Sequence, residues 1–265
     1  MASNPMFNEA AFERAKQQQG RQTSSREKEN FREQDIAPHY RTAVNGAAMT
    51  LQGTINKTFV LLALCVAGGV LGWTRAAALG GLVWIALIVA FILAICTSFK
   101  PAWSPLTSPV YAFLEGIVLG WISIAYNAQY PGIILQAVAI TFLVFAVMLF
   151  VYKTGILKVT QGFMTAVVSA TAAIAIMYVG SWIFSLFGGN ISYLTSSSPL
   201  SIGISVVVCV VAALNLMLDF QFIAVMSSRG DAPKFMEWYG GFGLLVTIVW
   251  LYIEILKLLG KAKRR

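Results

Sequence analysis

Two acidic residues lie inside the last two long apolar segments of the chain. Asp219 directly follows the apolar run 200–218, and Glu254 interrupts the run 240–259. If these segments cross a membrane, an ionised carboxylate near the centre of each costs roughly 2.5–3.5 kcal/mol on insertion scales. The two acids are therefore expected to be protonated, to be paired, or to line a water-filled path. Each of these options points to the handling of ions or protons.

The spacing predicts that Asp219 and Glu254 meet across a helical hairpin, since their depths differ by only about 7 Å at the rise of an α-helix. Two carboxyls in one dry site cannot both ionise cheaply, so one is expected to keep a proton and share it with the other. Loss of that proton would set two anions against each other and favour opening or the entry of a cation. Hard cations such as Ca²⁺ take oxygen ligands, which makes both acids candidate transient contacts for Ca²⁺. The alternative interpretation is a permanent, purely structural pair.

Three further polar residues are candidates for supporting roles. Asn215 lies one helical turn before Asp219 and is expected to hydrogen-bond it. Lys257 follows Glu254 by three residues, and it would weaken the shared-proton interpretation if it neutralised that acid. Glu115 lies inside the third apolar segment. It either lines a pathway, snorkels towards the membrane surface, or caps a neighbouring helix.

The composition is that of a polytopic membrane protein. The chain has 265 residues, of which 58% are hydrophobic and only 11% are charged, whereas a soluble domain is about 25% charged. Seven apolar segments follow a polar start, and most of them have the ~17–25 residues that a helix needs to cross a bilayer. They are 58–73, 77–97, 109–126, 132–152, 163–187, 200–226 and 240–259, the first being expected to begin nearer Ile55. The predicted fold class is all-α, a bundle of seven transmembrane helices.

The polar start and the apolar remainder predict two regions. Residues 1–48 are rich in Gln, Glu, Arg and Ser, cannot bury enough apolar surface to fold, and are predicted to be a disordered charged tail. This tail has no apolar centre and is not a signal peptide. Residues 49–265 are predicted to form the transmembrane domain, surrounded by the lipid bilayer.

Basic residues in the loops predict that the N-terminus is cytoplasmic. Under the positive-inside rule, the inner loops would carry Lys57, Lys100, Lys153, Lys158, Arg229 and Lys234, and the outer loops only Arg75. The basic end 261–265 disagrees, because seven spans would place it outside. Either the rule fails at that terminus or the last helix does not fully cross. The net charge of +8 thus reflects membrane orientation rather than nucleic-acid binding.

Most catalytic chemistry is excluded. The one histidine, His39, lies in the tail, so no His-based zinc site or catalytic triad is expected. No Gly-rich phosphate loop is present, and no cofactor is predicted. Intramembrane aspartyl proteases carry Tyr-Asp and Gly-x-Gly-Asp patterns, whereas the acids here lie in Leu218-Asp-Phe220 and Tyr252-Ile-Glu254. We therefore predict that the protein is not an enzyme.

Two Gly-x-x-x-Gly motifs predict close helix packing. Gly68 and Gly72 fall on one face of the first segment, and Gly116 and Gly120 on one face of the third. Small residues at this spacing let the backbones of neighbouring membrane helices approach closely.

The chain after the tail resembles bacterial members of the Bax inhibitor-1 family, the transmembrane Bax-inhibitor-motif proteins. The resemblance is carried by 49–52 (MTLQ), 56–58 (NKT), 111–120 (YAFLEGIVLG), 130–137 (YPGIILQA), 218–220 (LDF) and 250–259 (WLYIEILKLL). It implies a seven-helix fold with the seventh helix at the centre, in the cytoplasmic membrane. It also implies a pH-sensitive Ca²⁺ leak gated by two acids in the sixth and seventh helices, which correspond to Asp219 and Glu254. The chain departs from the common pattern in having Glu at the second position. The arginine of the family's second helix has no counterpart, since Arg75 lies at a helix end.

Two functions follow as hypotheses. The first is a pH-sensitive Ca²⁺ leak or cation channel of the cytoplasmic membrane, with Ca²⁺ as the transported ion rather than a cofactor. The second is a regulatory protein that binds a membrane-bound ATP-dependent protease, or another membrane complex, through its charged tail. The second hypothesis rests on the link between some bacterial relatives and such a protease.

Overall fold

The fold is a bundle of seven long helices. The computed structural model describes residues 48–187 and 196–264, so the predicted tail lies outside the described residues except for Ala48. The long helices are α1 Leu51–Thr74, α2 Leu82–Phe99, α3 Ser104–Gln129, α4 Ile133–Thr154, α5 Gln161–Leu186, α6 Pro199–Arg229 and α7 Met236–Lys263. Seven helices are long and apolar enough to cross a membrane, which confirms the predicted all-α, seven-helix architecture.

Consecutive helices run in opposite directions, so the bundle has two ends. We call the end where α1, α3, α5 and α7 begin the near end. We call the end where those four helices finish the far end. With 28 residues, α7 is about 42 Å long at 1.5 Å per residue, more than the hydrocarbon thickness of a bilayer. The last helix is therefore long enough to cross a bilayer completely.

Two helix starts differ from the predicted segments. α1 begins at Leu51, before Ile55, because the Thr50 hydroxyl accepts a hydrogen bond from the Gly53 amide at 3.0 Å and caps the helix. The second predicted segment, 77–97, is divided. A four-residue helix, Ala76–Leu79, ends at Gly80, which has a φ of 39°, and α2 then starts at Leu82.

The seventh helix lies at the centre of the bundle, as the resemblance implied. α7 packs against α1, α3, α4 and α6. In its most apolar stretch 61% of residues are buried inside the protein, compared with 6% for α5. Polar groups on α7 are thus surrounded mainly by other helices, and this is where acidic side chains find protein partners instead of lipid.

The two glycine motifs face each other across the α1–α3 interface. A Cβ atom on Gly68 would collide with the Phe113 carbonyl oxygen, and one on Gly116 with the Cys65 carbonyl oxygen. Gly72 and Gly120 make equally close approaches to the opposite backbone. The close packing that the motifs predicted is confirmed, and it fixes α3, which carries Glu115, directly against α1.

Candidate functional site

Glu254 is buried in the far half of α7 and makes three hydrogen bonds. Its side chain is only 2% exposed. One carboxylate oxygen, Oε2, accepts from the Tyr178 hydroxyl of α5 at 3.0 Å. The other, Oε1, accepts from the Trp250 indole at 3.2 Å and from the Lys257 ammonium at 2.6 Å. An acid in this position is held as a partnered group, and it joins α5 to α7.

Lys257 is part of the same cluster. Its ammonium also donates to the Tyr178 hydroxyl at 3.2 Å and lies 4.5 Å from the centre of that ring. One turn further along α7, Lys261 donates to the Ser205 hydroxyl of α6 at 2.8 Å. The i,i+3 neutralisation of Glu254 that the sequence raised as a possibility is therefore present.

Asp219 lies on α6 and faces α7 nearer the middle of the bundle. A Cβ on Gly243 would lie 3.6 Å from Asp219 Oδ1, and the Thr247 hydroxyl adjoins the same carboxyl. The second oxygen, Oδ2, is buried and has no hydrogen-bond partner within the described part of the chain. An acceptor in this state is costly as an anion, so the position suits a protonated carboxyl or one that meets a cation.

In this structure Asp219 and Glu254 are not in contact, and no hydrogen bond between them is found within the described ranges. Thr247, which adjoins Asp219, precedes Glu254 by seven residues, or about 10 Å along the helix axis. The expected depths were too similar because α7 already begins at Met236, which moves Glu254 farther from the near end. The roles of the two acids as pH sensors stay predictions. In the structure the Asp219 carboxyl, on α6, and the Glu254 carboxyl, on α7, lie at separate depths beside the central helix.

Of the other two supporting candidates, Asn215 takes different partners from the one expected. The Asn215 amide donates to the Thr171 hydroxyl of α5 at 2.8 Å and to the Val211 carbonyl oxygen at 2.9 Å. The predicted hydrogen bond from Asn215 to Asp219 is not formed; the amide ties α6 to α5 instead. Glu115 is half-buried on α3, next to the Gly116 contact with Cys65 of α1.

A further buried acid, Glu237, has a partner that the sequence did not reveal. Its side chain is 1% exposed, and Oε1 accepts from the Thr50 amide at 3.0 Å, from the Thr50 hydroxyl at 2.9 Å and from Lys234 at 2.8 Å. Beside it, the Met49 amide donates to the Ala232 carbonyl oxygen at 2.8 Å. The i,i+3 spacing of Lys234 and Glu237 is visible in the sequence. The contact between Glu237 and Thr50, which lie 187 positions apart, is not.

An apolar cavity of about 360 Å³ lies between α1, α3, α4 and α7. None of its lining residues is charged, and its polar edge is formed by Ser123 and Tyr252, which share a hydrogen bond of 2.7 Å. The cavity is separate from both acids of the α6–α7 hairpin. Within the described ranges, no group of three or more His, Cys, Asp or Glu side chains is arranged to hold a metal ion.

Comparison with known proteins agrees with this architecture. No curated protein matches the chain. The sequence model of the family described as Bax inhibitor 1 like matches residues 4–264, which is nearly the whole chain and includes α1 to α7. Seven apolar helices and this match together make the protein a multi-pass membrane protein. The chain belongs to the Bax inhibitor 1-like family.

Proposed function

We propose that this protein is a pH-sensitive leak for Ca²⁺ in the cytoplasmic membrane, gated by the protonation of Asp219 and Glu254. The observation that carries the proposal is the buried Asp219 Oδ2 atom, which has no hydrogen-bond partner in the described residues, in a carboxyl whose other oxygen lies near Gly243 of α7. A carboxyl so placed in a membrane bundle is stable when protonated. Once ionised, it attracts a cation, and its oxygens are ligands of the type that Ca²⁺ takes.

The two acids act at successive depths instead of as one shared-proton pair. Asp219 adjoins Thr247, and Glu254 lies two turns farther along the same central helix. Oxygen atoms spaced along α7 suit stepwise passage of a cation, because each site must bind the ion and then release it. The Glu254–Lys257 ion pair blocks the far half of this row of oxygen atoms along α7. We therefore assign the present arrangement to the closed form.

The sign of the pH dependence follows from charge. At low pH Asp219 is neutral and has no net charge to draw a cation between α6 and α7. Raising the pH ionises it and creates an unpartnered anion, whose cost is relieved by cation entry. Flux is therefore expected to rise from pH 5 to pH 8.

The test is Ca²⁺ entry into proteoliposomes across this pH range. Wild type should conduct more at high pH, and Asp219→Asn should give a low flux that no longer depends on pH. Glu254→Gln should also change the pH profile, since it removes the partner of Lys257. Asp231→Asn, the same chemical change in an exposed loop, is the matched control and should behave as wild type. An unchanged pH profile in Asp219→Asn would contradict the assignment of the sensor.

A second candidate function is regulation of a membrane-bound protease or other membrane complex through the N-terminal tail. The observation in its favour is that the residues that follow the tail are hydrogen-bonded at the start of the central helix: Thr50 to Glu237 of α7, and Met49 to Ala232 in the loop before α7. A partner that held the tail would act on the start of the central helix. Deleting residues 2–45 should abolish co-purification with the partner while Ca²⁺ entry persists. Retained co-purification after the deletion would reject the tail-mediated version.

A further inference from the structure

The Lys257 ammonium occupies the place beside Glu254 that a passing cation would need. Its 2.6 Å contact with Oε1 is the shortest of the three hydrogen bonds that the carboxylate accepts. The carboxylate is almost completely buried, so water offers no alternative partner. A cation that binds Glu254 must therefore displace the ammonium, not merely add to it.

Lys257 has a second partner close by. Its ammonium already lies over the Tyr178 ring and within 3.2 Å of the Tyr178 hydroxyl. A cation over an aromatic face is favourably placed even without a carboxylate, and 31% of the side chain is exposed. The ammonium can thus leave Glu254 without losing every partner, which is what reversible displacement requires.

The other charged and titratable groups around Glu254 do not take over this contact. Lys261 is bound to Ser205 of α6. Cys209 of α6 and Tyr126 of α3 lie within electrostatic reach of Glu254, and neither is a cation. Within the described residues, Lys257 is the one cation in ion-pair contact with Glu254.

We propose that Lys257 is a tethered cation that competes with the transported ion for Glu254 and so determines which ions pass. This inference rests on the proposed function, since it assigns a role within the same path. A divalent ion carries two positive charges, whereas the ammonium that the carboxylate holds carries one. The divalent ion can therefore displace the ammonium. A monovalent ion has no such advantage. Lys257 thereby favours divalent over monovalent cations and raises the concentration of Ca²⁺ needed for flux.

The test compares Ca²⁺ and K⁺ flux in proteoliposomes of the full-length chain at a fixed high pH. Lys257→Met should lower the half-saturating Ca²⁺ concentration about tenfold, as expected if the free carboxylate is populated about a tenth of the time in wild type. It should also raise K⁺ flux relative to Ca²⁺ flux. Lys257→Gln, which is neutral but can still donate to Glu254, should shift both quantities in the same direction. Lys257→Arg should stay close to wild type.

The controls separate competition from a merely structural ion pair. Lys234→Met removes the other i,i+3 Lys–Glu pair of the structure, at the near end, and should leave both quantities unchanged. In a Glu254→Gln background, Lys257→Met should have no further effect on half-saturation.

Three outcomes decide the proposal. The expected shifts in both neutral variants support it. The second outcome is that wild type conducts Ca²⁺, but Lys257→Met and Lys257→Gln have the same half-saturating Ca²⁺ concentration and ion preference as wild type. This result would overturn the tethered-cation role and leave the leak intact. Wild type without Ca²⁺ flux would overturn both proposals.

Discussion

Individual carboxyls in this protein are distinguished by their partners. Glu254 and Glu237 are both almost completely buried on α7, yet each has a lysine three residues away and hydroxyl donors from another part of the chain. Asp219 has no lysine partner in the described residues, and one of its oxygens lacks any hydrogen bond there. The charges of the first two carboxylates are thus compensated by neighbouring groups. Asp219 is the acid whose state is most open to control by a proton or a cation.

Glu237 provides a stability prediction at the residue scale. Replacing Glu237 with Ala should lower the unfolding free energy by about 1.5–3 kcal/mol, because the Thr50 amide and hydroxyl lose a charged hydrogen-bond acceptor. Thr50→Ala should cost about 1 kcal/mol through loss of the helix cap. Thermal unfolding in detergent measures both, with Asp231→Asn as the control. Equal stability of Glu237→Ala and wild type would show that the near-end contact contributes nothing.

The helices themselves are held by two kinds of contact. α1 and α3 pack backbone to backbone through their glycines, without room for side chains. α5 is joined to α6 and α7 by hydrogen bonds, from Thr171 to Asn215 and from Tyr178 to Glu254. The first contact is rigid, because packed backbones cannot adjust, and the second can exchange partners. Movement linked to Glu254 is therefore expected at α5 and not at the α1–α3 pair.

The close packing of α1 against α3 predicts that a large side chain at this interface destabilises the protein. Gly116→Leu should destabilise the protein by more than about 3 kcal/mol, beyond ordinary overpacking, because its side chain would meet the Cys65 backbone rather than a movable side chain. Gly180→Leu, in a helix with open space around it, should be nearly neutral. Thermal unfolding compares the two, and similar melting temperatures would refute the close packing of these helices.

Hydropathy alone predicted the number and approximate position of the helices, because each span needs a long apolar run. The same signal missed the break at Gly80, where the sequence on both sides of the turn stays apolar. It also placed Asp219 and Glu254 too close in depth, since residues 236–239, which include Glu237 and precede the predicted apolar run, are already helical. The partners of Asn215 and Glu237 lie on elements distant in the sequence, and nothing local in the sequence indicates them.

At the scale of the whole molecule, the two buried acids of the described residues, Glu237 and Glu254, both lie on the central helix. α7 carries Glu237 at the near end, adjoins Asp219 in the middle, and carries Glu254, Lys257 and Lys261 towards the far end. The surrounding helices keep lipid away from these charged residues, so the residues interact with one another and with any ion that enters. We propose that a central helix of this kind couples protonation to the passage of ions through the bundle.

The gating role of Asp219 is tested most directly by the ratio of Ca²⁺ entry at pH 8 to that at pH 5, measured side by side in wild-type and Asp219→Asn proteoliposomes. We expect a ratio well above one for wild type and close to one for Asp219→Asn, with equal amounts of folded protein. Equal ratios in the two proteins, or no entry in wild type at either pH, would contradict the proposal that Asp219 gates a calcium leak.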